Sequence, residues 1–199
     1  MEKSTKIAIG IGLSAVLIAT TFIFRNQIKA SIKKIFGGYK WFDESLNWYR
    51  SLSTKEGVED LHPDFRDDVK EFFSWIEKNT DWDVIWSSGR RTFEHQAELH
   101  EEDERNAEAG KSDHNYGFAF DINLINRRTG VQLKKASSKS EWMSTGIPQQ
   151  AKKMGLSWGG DFKTYHDPIH FAKKNAPTTP QLLVMYNAGK VDSNGYVKI

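Results

Sequence analysis

Residues 110–124 read GKSDHNYGFAFDINL. From Gly117 to Asn123 apolar and polar side chains alternate well enough for a strand, whose successive side chains point to opposite faces. His114 and Asp121 stand seven apart at the two ends of NYGFAF, so a turn leading into that strand brings an imidazole and a carboxylate to one locus. Imidazole and carboxylate are the zinc ligands expected when no thiol is available, and the chain contains no Cys. Any metal is therefore held by His, Asp or Glu. His-x6-Asp alone is a weak signal, since a histidine beside aromatics is more often a hydrogen-bonded core or surface residue.

Working outward, LHPDFRDDVKEFFSWIEKN places Phe65, Val69, Phe72, Phe73 and Ile76 on one face and predicts a helix over 63–78, opened by His62 and Pro63. WDVIWSS, residues 82–88, is β-branched and aromatic and predicts a strand ended by Gly89. Thr92 is a candidate cap for a charged helix through about Asn106. Further on, Met143 or Pro148 to Met154 reads as a helix, Leu156 to Trp158 as a short strand, Ile169 to Ala172 as another and Thr179 to Asn187 as a last helix before Gly189. From residue 40 the pattern is that of a small mixed α/β domain, without internal repeats.

The 199 residues are 38% hydrophobic and 27% charged, which excludes a disordered chain and a polytopic membrane protein. Residues 1–39 hold six Lys/Arg against one acid, leaving 22 Lys/Arg against 25 acids in the remainder. A mildly acidic bulk argues against nucleic acid as a partner, because that affinity rests on a basic face. Ile7 to Phe24 is uncharged for eighteen residues, flanked by Lys3 and Lys6 before and by Arg25 and Lys29 after. At ~1.5 Å per residue it spans roughly 27 Å, enough for one uncleaved transmembrane helix through the lipid bilayer. No A-x-A-like cleavage site follows. Gly10, Gly12 and Ala15 spell a dinucleotide fingerprint, but with no strand before them they read as small residues of a membrane helix. Ile28, Ile32, Ile35 and Phe36 recur at helical spacing among Lys29, Lys33 and Lys34, as either a basic extension at the headgroups or a solvated linker. The expected division is residues 1–38 as anchor and juxtamembrane segment and 39–199 as the folded domain.

Three blocks together, SSGRRTFEHQAEL (87–99), GKSDHNYGFAFDINL (110–124) and GLSWGGDFKTYHDPIHFA (155–172), resemble the D-alanyl-D-alanine carboxypeptidase and L-alanyl-D-glutamate endopeptidase family of zinc peptidases, which includes phage endolysins. The family patterns S-G-x-R with a downstream Gln, S-x-H-x-x-G-x-A-x-D, and W-G-G-D followed by D-x-x-H-F occur in order. The resemblance implies an α+β fold, a small antiparallel sheet flanked by helices of the hedgehog and DD-peptidase type. It implies that His114, Asp121 and His170 bind zinc and that Asp167 is the catalytic acid/base. Arg91 is implied to bind a substrate carboxylate or stabilise the oxyanion, with Ser112 and Gln96 supporting the site.

Plainer readings stand beside these roles. Arg90 and Arg91 point to opposite faces if the segment is extended, and the motif register favours Arg91. Ser112 could be a turn residue, Gln96 a packing residue and Trp158 core rather than a substrate platform. Asp161 could cap the Trp158-Gly159-Gly160 turn or orient a ligand histidine. His166 could bond a transition-state oxygen or do nothing, and Pro168 between His166 and His170 favours extended chain. The last block departs from many relatives, which have Pro directly before the ligand His and Glu after Phe; here Ile169 and Ala172 stand there.

The function implied is hydrolysis of peptidoglycan stem peptides, foremost at the L-alanyl-D-glutamate bond. The alternatives are a D-Ala-D-Ala carboxypeptidase or dipeptidase, and an inactive membrane-anchored wall-binding or virion structural protein. Two Lys/Arg before the span and four after it would keep the domain in the cytoplasm under the positive-inside rule. A wall substrate instead requires the periplasmic or cell-wall side, or a lipid-containing virion.

Overall fold

The computed structural model describes residues 52–199. The expected membrane span (7–24), the basic stretch after it and the 38/39 boundary lie outside the described residues. No helix among the described residues is long and apolar enough to cross a membrane.

Residues 52–59 are helical. Helix α1, Pro63–Asn79, follows the apolar spacing: Phe65, Val69, Phe72 and Ile76 are all buried. Proline at its first position loses no hydrogen bond there, and His62 Nδ1 accepts from Asp64 N at 3.2 Å as the cap. With Nδ1 an acceptor, Nε2–H donates to Val197 O at 2.8 Å, so this buried histidine is satisfied as structure. Thr80 ends the helix, its backbone N–H and its hydroxyl both donating to Ile76 O.

Strand β1 is Trp82–Ser88 and helix α2 is Phe93–Glu102 with Thr92 as cap. The expected run of α2 to Asn106 is too long. Asp103 turns extended, and its backbone N–H and Asn106 Nδ2 both donate to the Leu99 carbonyl at the helix end. A 3-10 turn, Asp113–Tyr116, leads into β2, Ala119–Asn126, which therefore starts later and runs further than the expected 117–123. Gly117 makes the junction at φ 76°, and a Cβ there would lie 2.6 Å from His62 N. Both the left-handed backbone and the close approach require glycine.

Beyond β2 come β3 (Gln132–Leu133), α3 (Lys139–Ser144), α4 (Ile147–Lys153), β4 (Leu156–Trp158), a 3-10 turn (Gly159–Asp161), β5 (His170–Lys173) and α5 (Thr179–Asn187). Of the two starts expected for the helix ending near Met154, Pro148 matches α4, and Met143 belongs to α3, the two helices being separated by Gly146 at φ 74°. The strand expected over 169–172 shifts by one residue. Pro168 sits in a turn rather than in extended chain, since His170 N donates to Asp167 O at 3.2 Å and proline suits the second position of such a turn.

The sheet runs β1-β2-β5-β4, antiparallel throughout, with β3 on the free stretch of β2 beside β5. Alternation divides its faces. Phe120, Ile122 and Leu124 of β2 and Phe171 of β5 face the core. Phe120 stacks on Phe171 at 5.6 Å between centroids and on Trp86 at 6.0 Å, and α1 closes this face through Phe72, 5.6 Å from Phe171. Asp121 and His170, paired in register, lie on the opposite face. The architecture is α+β: a small antiparallel sheet flanked by helices, with an aromatic core on one side and polar chemistry on the other.

Candidate metal centre

Asp121 is the middle of the site because β2 is the middle strand. Its neighbour across the ladder on one side is His170, the first residue of β5, and on the other Ser88, the last residue of β1, just past an irregularity between Trp86 and Ser88. His114 comes from the 3-10 turn before β2, where the Ser112 hydroxyl accepts from His114 N. The three motif blocks, far apart in the chain, thus meet at one pleat.

His114 Nε2, Asp121 Oδ1 and His170 Nδ1 are separated by 3.3, 3.1 and 3.2 Å, taken pairwise around the triangle. A tetrahedral ion with bonds of ~2.0–2.1 Å places its ligands ~3.3 Å apart, so this donor triangle has the size zinc requires. His114 Nδ1–H donates to Gly89 O at 2.7 Å, which fixes the tautomer and turns the Nε2 lone pair to the triangle. Burial lowers the His114 pKa, against the opposing pull of Asp121, and so favours the neutral form that binds metal. Burial alone would raise the Asp121 carboxyl, but His114 and His170 outweigh it and hold it well below the usual carboxylate range. Two imidazoles and one carboxylate leave a fourth position open, the arrangement of a catalytic rather than a structural zinc site.

The second oxygen of Asp121 accepts from Arg91 Nη2 at 2.6 Å. Arg91 Nε donates to Ser88 Oγ at 2.9 Å and Nη1 to Gln96 Oε1 at 3.4 Å. The carboxylate that Arg91 meets in the fold is thus Asp121's, and all three of its guanidinium nitrogens have partners within the chain. Gln96, buried on α2, passes the restraint on by donating to Ala107 O at 2.7 Å. Arg90 turns away to the Asn194 and Gly195 carbonyls.

Asp167 stands in the turn just before His170. Burial raises its carboxyl, Lys135 opposes this, and the Asp121 charge adds to it. Its Oδ1 is buried with no hydrogen-bond partner. The Trp158-Gly159 turn positions this acid. Trp158, a core residue, donates its indole N–H to Pro168 O at 2.8 Å, and Asp167 N donates to Gly159 O at 3.3 Å. A Cβ on Gly159 would come within 2.4 Å of Asp167 O and 3.0 Å of His170 Cβ, so only glycine lets the two segments close up.

Two expected helpers lie elsewhere. Asp161 is drawn out by Lys139 (2.7 Å) and Lys152 (2.8 Å) and orients neither ligand histidine. His166 is exposed and its Nε2 pairs with Ser137 O at 3.0 Å. Sequence reasoning missed Ser88, the Gly89 carbonyl and Lys135. The first two sit inside the SSGRR block, but their role depends on a backbone turn that residue type does not reveal.

Residues 105–173, which contain all three donors and Asp167, match the family model described as D-alanyl-D-alanine carboxypeptidase. Over 123 residues the chain is 29% identical to the peptidoglycan L-alanyl-D-glutamate endopeptidase CwlK of Bacillus subtilis (strain 168), covering 56% of this chain and 72% of that protein. Among solved structures it is similar to the L-Ala D-Glu endopeptidase ChiX of Serratia marcescens (TM-score 0.45, 22% identity, 60% of this chain and 84% of that one). Another is a zinc-bound point mutant of the vancomycin-resistance D,D-pentapeptidase VanY (TM-score 0.44, 16% identity, 62% and 78%). Through the segment that builds its metal centre, the chain is similar to the D-alanyl-D-alanine carboxypeptidase and L-alanyl-D-glutamate endopeptidase family of zinc peptidases.

Proposed function

We propose that the protein is an endopeptidase that hydrolyses the L-alanyl-D-glutamate bond of peptidoglycan stem peptides. The observation that carries the chemistry is the zinc-sized donor triangle with a buried carboxylate oxygen, free of hydrogen bonds, three residues before its last ligand. The CwlK relative supports the choice of bond. A D-Ala-D-Ala carboxypeptidase is the second reading, favoured by the description of the family model.

In this mechanism His114, Asp121 and His170 hold zinc, which when bound lowers the pKa of water toward ~7 and polarises the peptide carbonyl. Asp167 takes the proton of the attacking water and delivers it to the leaving amine nitrogen, a task for which its place in the turn before His170, with an oxygen free of hydrogen bonds, suits it. Arg91 orients the Asp121 carboxylate, and the Gly89 carbonyl orients the His114 ring and fixes its tautomer.

Mass spectrometry of muropeptides after digestion by the full-length protein, with and without chelator and beside Asp167→Ala, tests the reading. New L-alanine C-termini that vanish with chelator and in the variant are expected. Release of D-alanine alone would move the protein to the carboxypeptidases.

We also infer that residues 7–24 anchor the enzyme in a bilayer, which their uncharged length supports, with the domain on the wall side, where the proposed substrate lies, against the bias of the flanking Lys/Arg. The chain should stay with membranes through alkaline carbonate extraction, and protease added to intact spheroplasts should degrade the domain. Release by carbonate would contradict the anchor, and protection would contradict the orientation.

A further inference from the structure

Arg91, the cation expected to receive a substrate carboxylate, is spent on Asp121, Ser88 and Gln96. Among the described residues the other basic side chain whose ion pairs reach an acid of the site is Lys135, with Nζ 3.8 Å from Asp167 Oδ1. That distance is beyond a hydrogen bond, and Asp167 Oδ1 has no other partner. The lysine side chain is 63% exposed, so its ammonium has donors to offer a ligand. Lys135 also faces Asp103 at the end of α2, but Arg105 already pairs with that carboxylate at 2.6 Å.

Its position is tied to that of the acid. The turn linking β3 to α3 is closed by Lys134 N donating to Ser137 Oγ at 3.0 Å and Ser137 N donating to Lys134 O at 3.0 Å. The Ser137 carbonyl in turn pairs with His166, the residue before Asp167. The exposed His166 thus acquires a task, fastening the lysine turn to the strap that carries the proton donor.

The chemistry of the bond says what such a cation would meet. Asp167 delivers a proton to the leaving amine. In a stem peptide continued through the side-chain carboxyl of D-glutamate, the α-carboxylate is free and sits on the carbon bearing that amine. The last residue of a D-Ala-D-Ala terminus has the same feature. A cation 3.8 Å from the proton donor is therefore within reach of a carboxylate one carbon from the proton acceptor. We propose that Lys135 is a substrate-binding residue whose ammonium receives the free α-carboxylate of the residue following the scissile bond. This rests on the peptidase reading above for its substrate, although not on which of the two bonds is cut.

Calorimetric titration of the zinc-loaded full-length protein tests it, using the product peptide that begins with D-glutamate and the same peptide with its α-carboxylate amidated. Wild type is expected to bind the free acid about tenfold or more tighter than the amide. Lys135→Ala should bind both at the level of the amide, with an unchanged melting temperature, and Lys135→Arg should keep most of the preference. Equal binding of the two peptides by wild type, or a preference that survives Lys135→Ala, would overturn the proposal. The titration needs no bond to be cut, so failure to digest muropeptides would count against the peptidase reading alone.

Discussion

At Arg91 a single guanidinium joins three parts of the chain, the end of β1, helix α2 and the ligand Asp121. Outer partners of this kind typically change metal affinity by about ten- to a hundredfold. Arg91→Ala should weaken zinc binding by that order in competition with a chromophoric chelator. Unchanged zinc affinity with lowered turnover would instead place Arg91 on the substrate. Asp167 gives a prediction of opposite sign from most buried residues. Its folded pKa is raised, so the fold favours the protonated form, and stability falls as pH climbs from the unfolded value near ~3.9 through the folded one. Metal-free Asp167→Asn should therefore melt higher than metal-free wild type at neutral pH, the gap closing as pH drops below the ordinary aspartate range. A gap that widens in acid would contradict the burial argument. On the proposed mechanism Asp167 also sets the acid limb of activity, which should rise with pH as it ionises.

At the scale of elements, two glycines carry weight that residue type alone conveys poorly. Gly117→Ala forces a left-handed φ on alanine and a clash with the His62 backbone, and should cost more than ~1 kcal/mol by urea denaturation. Gly159→Ala drives a methyl against the Asp167 carbonyl. It should lower kcat more than it lowers stability, because what shifts is the turn carrying the acid. Equal stability and activity in both variants would show that neither contact matters. The strands and helices with strong periodicity were legible in the sequence: α1 from its spacing of Phe65, Val69, Phe72 and Ile76, β1 from its β-branched run, α5 from Thr179 to Gly189. The rest depended on longer-range terms. Where α2 ends is set by Asn106 reaching back to Leu99, and where β2 begins by Gly117 meeting His62. β3 is two residues long and exists only because β2 offers it an unpaired edge.

Over the described domain as a whole, the sheet separates stability from chemistry. Phe120 and Phe171 stack on the α1 face, whereas Asp121 and His170, their neighbours in sequence, face the other way. Phe120→Ala should cost about 3–5 kcal/mol. The residues gathered at the metal centre were legible because three motif blocks each contribute at a fixed register. The destination of Arg91, the outward pairing of Asp161 and the approach of Lys135 to Asp167 were not, since each depends on how loops close over the sheet. The central claim is that His114, Asp121 and His170 form one zinc site. Calorimetric titration of metal-free full-length protein with zinc tests it most directly, beside His114→Ala and His170→Ala. One zinc per chain, lost or greatly weakened in each variant, is the predicted result; no binding by wild type, or undiminished binding by both variants, would contradict it.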